Sequence, residues 1–195
     1  MEGLRNAEKE TRSVVRRRLR EFSRNDDWFS ELCFCILTAN YTAEGGMRIQ
    51  NSVDFSKLSR AQIERALRKH GYRFPKVRSG FIHLAKAHRE NLGALRSMKS
   101  SAERREWLVG NVKGLGYKEA SHFLRNVGYS DVAIIDRHIL HVLEKYGMIE
   151  QPKSLTKRRY LEIEAILSGI ADKASVSLGE LDLYLWYMKT GRVLK

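Results

Sequence analysis

The sequence predicts an all-α fold of many short helices, and three observations carry that prediction. Apolar residues recur at three- and four-residue spacing through most of the chain. Capping residues stand at the starts of these runs and glycines at their ends. Only two prolines, Pro75 and Pro152, occur in 195 residues. Residues 132–135 alone have strand character, and four residues do not make a sheet.

The elements follow in order. Arg16, Arg17, Arg18 and Arg20 lie on a helix whose apolar side is Val14, Val15 and Leu19, so they read as a solvated face. Asp26 or Asp27 caps a helix from residue 28 to about 39. Its Leu32, Cys33, Phe34, Ile36 and Leu37 point to several faces, which predicts burial all round. Ser59 and Gln62 form a capping box ahead of Ile63, Ala66 and Leu67, and Gly71 stops that helix. Pro75 opens a helix with Val77, Phe81, Leu84 and Ala85. Ser100 and Glu103 form a second box before Trp107 and Leu108. Asp136 precedes Ile139, Leu140 and Leu143, and that helix ends at Gly147. Thr156 precedes Tyr160, Ile163, Leu167 and Ile170. The last helix carries Leu178, Leu181, Leu185 and Met188 and stops at Gly191.

Composition narrows the function. Lys and Arg number 36 against 23 Asp and Glu, a net charge of +13, while 43 % of residues are hydrophobic. That is a globular chain whose charge suits a polyanion, nucleic acid first, since neutralising phosphates releases counterions. The alternative is a set of cations that only solvate helix faces. No apolar run is long enough to span a bilayer and the first residues do not read as a signal peptide, so a cytoplasmic protein is expected. Two cysteines exclude a disulfide framework, a four-thiolate iron–sulfur cluster and a four-Cys zinc site. Cys33 and Cys35, two apart on the most apolar helix, read as small buried residues. His138 and His141 are three apart without further ligands at metal spacing. No metal and no cofactor are expected.

The chemistry concentrates in residues 108–139. A helix over about 103–111 leads into Val112-Lys113-Gly114-Leu115-Gly116, and a second helix covers 117–127. Glycines at 114 and 116 permit a tight turn and close approach of the backbone to another object. The start of the following helix presents free N–H groups that favour a phosphate. An ordinary tight helical turn has the same pattern.

This hairpin, continued through Tyr117-Lys118-Glu119-Ala120, together with Ile134-Ile135-Asp136-Arg137-His138 downstream, resembles the helix-hairpin-helix DNA glycosylases. In that superfamily the hairpin grips the DNA backbone. A Lys at the start of its second helix marks the members that also cleave the strand, and an Asp after a short apolar run completes the site. The separation of Lys118 from Asp136, 18 positions, fits that pattern. Residues 36–40 (ILTAN), Trp186-Tyr187 and the ending Gly191-Arg192-Val193-Leu194-Lys195 look like the small archaeal-type 8-oxoguanine DNA glycosylase/lyases. The resemblance runs from about residue 28 to the last residue. Endonuclease III-type relatives usually add an iron–sulfur cluster, for which the cysteines are missing here.

The resemblance implies two helical subdomains with the hairpin at their junction and the active-site cleft between them. One is a central bundle of residues 25–130, with the hairpin at about 103–127. The other comprises residues 1–24 and 131–195. It implies Lys118 as the nucleophile and Asp136 as the carboxylate that stabilises a cationic sugar. Attack at C1′ needs an un-ionised amine, and both a helix N-terminus and partial burial disfavour an ammonium. Taken singly, Lys118 is an exposed helix lysine and Asp136 an N-cap. A base inside a duplex must be flipped out to be reached; Phe74 and Trp186 are implied as its aromatic sandwich. Lys195, with its terminal carboxylate, is implied as the reader of the oxidised base, whose N7–H donor guanine lacks. Asn40 is implied as the residue that fills the vacated stack, or else a helix C-cap. Lys113, Gly114, Gly116 and His138 are implied as DNA contacts. The expected partner is double-stranded DNA containing 8-oxoguanine, bound by a monomer in the cytoplasm near the nucleoid. Two alternatives stand beside this reading: the same chemistry on another oxidised base, as in endonuclease III, and a non-catalytic hairpin module that only binds DNA.

Overall fold

The computed structural model describes residues 2–39 and 41–195. Ten α-helices and three short 3₁₀ turns occur among them, and no strand. The chain divides into two compact units, residues 25–123 and residues 1–24 with 124–195.

In the unit of residues 25–123 the core is α2 (Trp28–Thr38), ten of whose eleven residues are buried. Each Leu, Ile or Phe so removed from water contributes about 1.5–3 kcal/mol. Asp27 is the cap that forms, accepting the Ser30 N–H. The buried C-terminal end of α2 exposes carbonyls that need donors. Thr38 Oγ1 donates to Cys35 O, the Tyr72 hydroxyl to Leu37 O at 2.7 Å, and Arg78 Nη2 to Ala39 O at 3.3 Å. Cys33 and Cys35 are buried and form no disulfide, and burial, with Asp27 next, pushes the Cys33 thiol up. Helix α3 (Ala43–Ser52) lies against α2. A β-carbon on Gly46 would come within 3.0 Å of the Phe34 ring, so the close approach depends on that glycine.

Helices α4 (Arg60–Lys69) and α5 (Pro75–Ala85) pack on each other. The Ser59–Gln62 box forms in full, and Pro75 occupies the first turn of α5. Helix α6 (Ser101–Asn111) starts with Ser100 accepting the Glu103 N–H, but the Glu103 carboxylate reaches Lys99 N rather than Ser100 N. Only half of the expected box forms. Helix α7 (Tyr117–Asn126) follows the glycine turn.

In the unit of residues 1–24 and 124–195, α1 (Glu2–Ser23) packs along α10 (Leu178–Thr190). Arg17 and Arg18 pair with Glu21 on its exposed side. Helices α8 (Arg137–Lys145) and α9 (Lys157–Ala174) also rest on α10. Asp136, Thr156 and Gly191 cap as their positions predict.

The strand character of residues 132–135 does not produce a strand. The segment is neither helix nor strand, and it is buried with no ladder partner. Side chains of α9 satisfy its backbone instead: Glu164 accepts the Ala133 N–H at 2.8 Å. The Tyr160 hydroxyl donates to Ala133 O at 2.7 Å and accepts the Ile135 N–H at 3.3 Å. No helix among the described residues is long and apolar enough to cross a membrane.

Candidate active site

The hairpin is stapled before it turns. Arg105 of α6 lies over the Tyr117 ring at 5.1 Å and donates to Ser121 Oγ of α7 at 3.2 Å. The Tyr117 hydroxyl donates to Glu106. Two helices joined by such contacts hold the intervening loop in one shape. Within it, Val112 and Leu115 are buried, and Leu115 N donates to Val112 O at 3.2 Å. Gly114 has φ +93°, a conformation that side chains rarely adopt, and the Phe81 ring of α5 fills the space beside it. Lys113 and Gly116 are exposed at the tip.

Helix α7 begins at once, with Ala120 N donating to Gly116 O at 2.9 Å. Gly116 N donates to Glu119 Oε2 at 3.2 Å, and Glu119 Oε1 lies 3.3 Å from Lys118 Nζ. The Lys118 side chain is only 24 % exposed. That is low for a lysine, which ordinarily keeps its ammonium in water.

Phe74 immediately precedes Pro75 and stays 37 % exposed, with the Arg73 guanidinium 5.0 Å from its ring centre. A large aromatic left open to solvent beside a cation is poor core and good stacking surface. Phe74, Phe81, Gly114 and Lys118 all belong to the unit of residues 25–123.

In the other unit the buried segment 132–135 delivers Asp136 to the start of α8. Both of its cap bonds, from His138 N at 2.8 Å and Ile139 N at 2.9 Å, use Oδ1. The cap therefore leaves Oδ2 unused. The exposed His138 ring stands edge-on to Trp186 of α10, with centroids 5.1 Å apart. Trp186 is half-buried, and its Nε1 is buried with no hydrogen-bond partner among the described residues. An indole N–H in that state is a donor awaiting an acceptor. Lys195 is half-buried as well. Asp136, His138 and Trp186 are thus gathered within one unit. Asn40 lies outside the described residues. No cluster of His, Cys, Asp and Glu among the described residues is arranged to hold a metal ion.

The sequence marks Phe81 and Tyr160 only as apolar helix positions and gives Glu119 no role of its own. Glu119 had a readable signal, a Glu three residues after a helix-capping position. The other two act through contacts distant in sequence.

Comparison with known proteins bears on this arrangement. A family model described as 8-oxoguanine DNA glycosylase matches residues 15–176. A Methanocaldococcus jannaschii protein named 8-oxoguanine DNA glycosylase/AP lyase is 49 % identical, over 100 % of this chain and 97 % of its own. A protein of the same name from Korarchaeum cryptofilum is 52 % identical over 94 % of this chain and 91 % of its own. The crystal structure of the M. jannaschii glycosylase/lyase with a 15mer DNA containing 8-oxoguanine is similar with a TM-score of 0.96 at 47 % identity, covering 100 % of this chain and 98 % of that one. An endonuclease III–DNA complex, at 16 % identity and a TM-score of 0.62 over 92 % of this chain and 85 % of that one, shares the fold.

Proposed function

The chain belongs to the 8-oxoguanine DNA glycosylase family, and from that premise we propose that it excises 8-oxoguanine from duplex DNA through Lys118 and then cleaves the strand. The hairpin tip, with Lys113, Gly114 and Gly116, takes a backbone phosphate next to the lesion. The extruded base stacks on Phe74 and Trp186, and Lys195 reads its oxidised edge. Asn40 occupies the vacated stack, and His138 meets a phosphate.

The chemistry follows from the amine. Lys118 Nζ, deprotonated, attacks C1′ and forms a C–N bond while the N-glycosidic bond breaks. Its electron pair leaves with the base, which takes up a proton. Positive charge develops on the sugar, and the Asp136 carboxylate stabilises it. Ring opening gives an iminium between Lys118 and C1′. Loss of a C2′ proton then expels the 3′ phosphate by β-elimination. Asp136 has a free oxygen for this work because its helix cap consumes only Oδ1. The protein acts as a monomer on chromosomal DNA in the cytoplasm.

The observation that carries the assignment is the confined Lys118 side chain at the first turn of the hairpin's second helix. The test is reduction of the iminium. With borohydride, wild-type protein on an 8-oxoguanine duplex is expected to give a covalent adduct that maps to Lys118, and Lys118→Gln to give none. An adduct on thymine glycol but not on 8-oxoguanine would move the specificity to an oxidised pyrimidine. No adduct on either would sink the enzyme reading.

A further inference from the structure

Resting on the reading of Lys118 as the nucleophile, we propose that Glu119 is the positioning residue that aims its amine. Neighbouring residues on a helix project about 100° apart and do not ordinarily meet. Lys118 and Glu119 nevertheless make an ion pair of 3.3 Å, with side chains 24 % and 16 % exposed. The reason is the second oxygen of Glu119. It accepts the Gly116 N–H at 3.2 Å, so the carboxylate is folded back over the hairpin turn. Side chains on a helix lean toward its N-terminus, and the lysine stem follows the carboxylate in that direction. The amine is thereby drawn to the turn, where a gripped backbone would place the sugar, instead of ranging over the flank of α7.

A flexible four-carbon stem has many rotamers to lose when its tip is fixed. Fixing its tip before substrate arrives removes that cost from the reaction. The anchor is itself rigid. Gly116 immediately precedes α7, and α7 is stapled to α6 through Arg105, Tyr117 and Ser121. Turn, carboxylate and amine form one chain of contacts, so the hairpin that holds DNA also sets the reach of the nucleophile.

The test uses Glu119→Gln, which keeps an oxygen for the Gly116 N–H but loses the carboxylate oxygen that accepts a Lys118 N–H, both from the resting ammonium and, once its proton has passed to solvent, from the attacking amine. Single-turnover excision at saturating protein is expected to fall by about 10- to 100-fold, the scale of a misplaced reacting group. Duplex Kd should stay within about twofold and the melting temperature should be unchanged, because the helix start is intact. Borohydride trapping on a duplex with a preformed abasic site should slow by the same factor, since it needs the amine but no base recognition. Glu119→Ala, which loses both bonds, should lose melting temperature as well. An undiminished rate in Glu119→Gln overturns the proposal, as does a rate loss matched by lost stability or lost duplex affinity. Absence of any adduct with wild-type protein instead removes Lys118 as nucleophile, and this inference with it.

Discussion

The ring of Phe81 occupies the space that a β-carbon on Gly114 would need. The two residues join α5 to the hairpin turn. Phe81 lies two turns along the helix that Phe74 opens, so α5 carries both the exposed Phe74 ring and the ring that abuts the hairpin turn. The turn is bound to glycine twice over: by φ +93° and by this ring.

Gly114→Ala is therefore expected to cost about 1–3 kcal/mol for the backbone alone, with the collision added. Duplex affinity should weaken along with stability, because the tip must move. Pairing it with Phe81→Ala separates the two causes in a double-mutant cycle. The collision is relieved and the backbone strain persists, so urea midpoints should show partial recovery. Full recovery would mean that φ is not the constraint.

Asp136 caps α8 through Oδ1, and the proposed reaction gives its chemical task to the other oxygen. Asparagine is as good an N-cap as aspartate but carries no charge. Asp136→Asn should keep the melting temperature within a degree or two and reduce single-turnover excision by about 100- to 10,000-fold, the range for a lost positioned acid–base group. Asp136→Ala should add about 1 kcal/mol of destabilisation from the missing cap. Equal stability losses in both variants would show that the charge, not the cap, holds the helix start.

What the sequence reveals here depends on how local the signal is. The glycine turn at 114 and 116 and the cap at Asp136 stand out because each is decided within four or five residues, whereas Lys118 is singled out only by the family resemblance. The Ser59 box, Thr156 and Gly191 are legible for the same reason. Helix α3 gives no such signal. Its Gly45-Gly46 pair opposes a helix interior by roughly 1 kcal/mol per glycine, and what makes the helix favourable is close contact with Phe34 and Thr38 of α2. Residues 132–135 make no sheet, as the all-α reading expects, but what satisfies their backbone is not legible locally. Their β-branched character is real, but the hydrogen-bonding partners are Tyr160 and Glu164, some 25 to 31 positions away, rather than another strand. Glu119 sits between the two cases: its capping spacing is local, while its hold on Lys118 appears only in three dimensions.

Tyr160 tests how far that distant support reaches the chemistry. Its hydroxyl serves both Ala133 O and Ile135 N, next to the residue that carries the carboxylate. Tyr160→Phe leaves a buried carbonyl without this donor, at a cost of about 1–3 kcal/mol. Excision should fall with it, because Asp136 is held by the segment that loosens. Hydrogen exchange at Ile135 and Ala133 is the direct check. Faster exchange there, with α2 amides unchanged, is the expected pattern, and uniform acceleration across the chain would show general destabilisation instead.

The proposed function gives Lys195 a part in recognition rather than catalysis. It is half-buried, in the same unit as Trp186, whose buried indole N–H lacks an acceptor among the described residues. A group that reads the oxidised edge of the base acts only after that base has left the stack. Removing Lys195 should therefore leave the Kd for undamaged duplex nearly unchanged, since that affinity comes from backbone contacts. The preference for 8-oxoguanine over guanine should drop by about tenfold or more, the worth of roughly one hydrogen bond to a charged group. The measurement is the ratio of single-turnover rates on the two duplexes. A fall in affinity for both, with the ratio preserved, would assign Lys195 to the phosphate backbone and leave the base to Phe74 and Trp186.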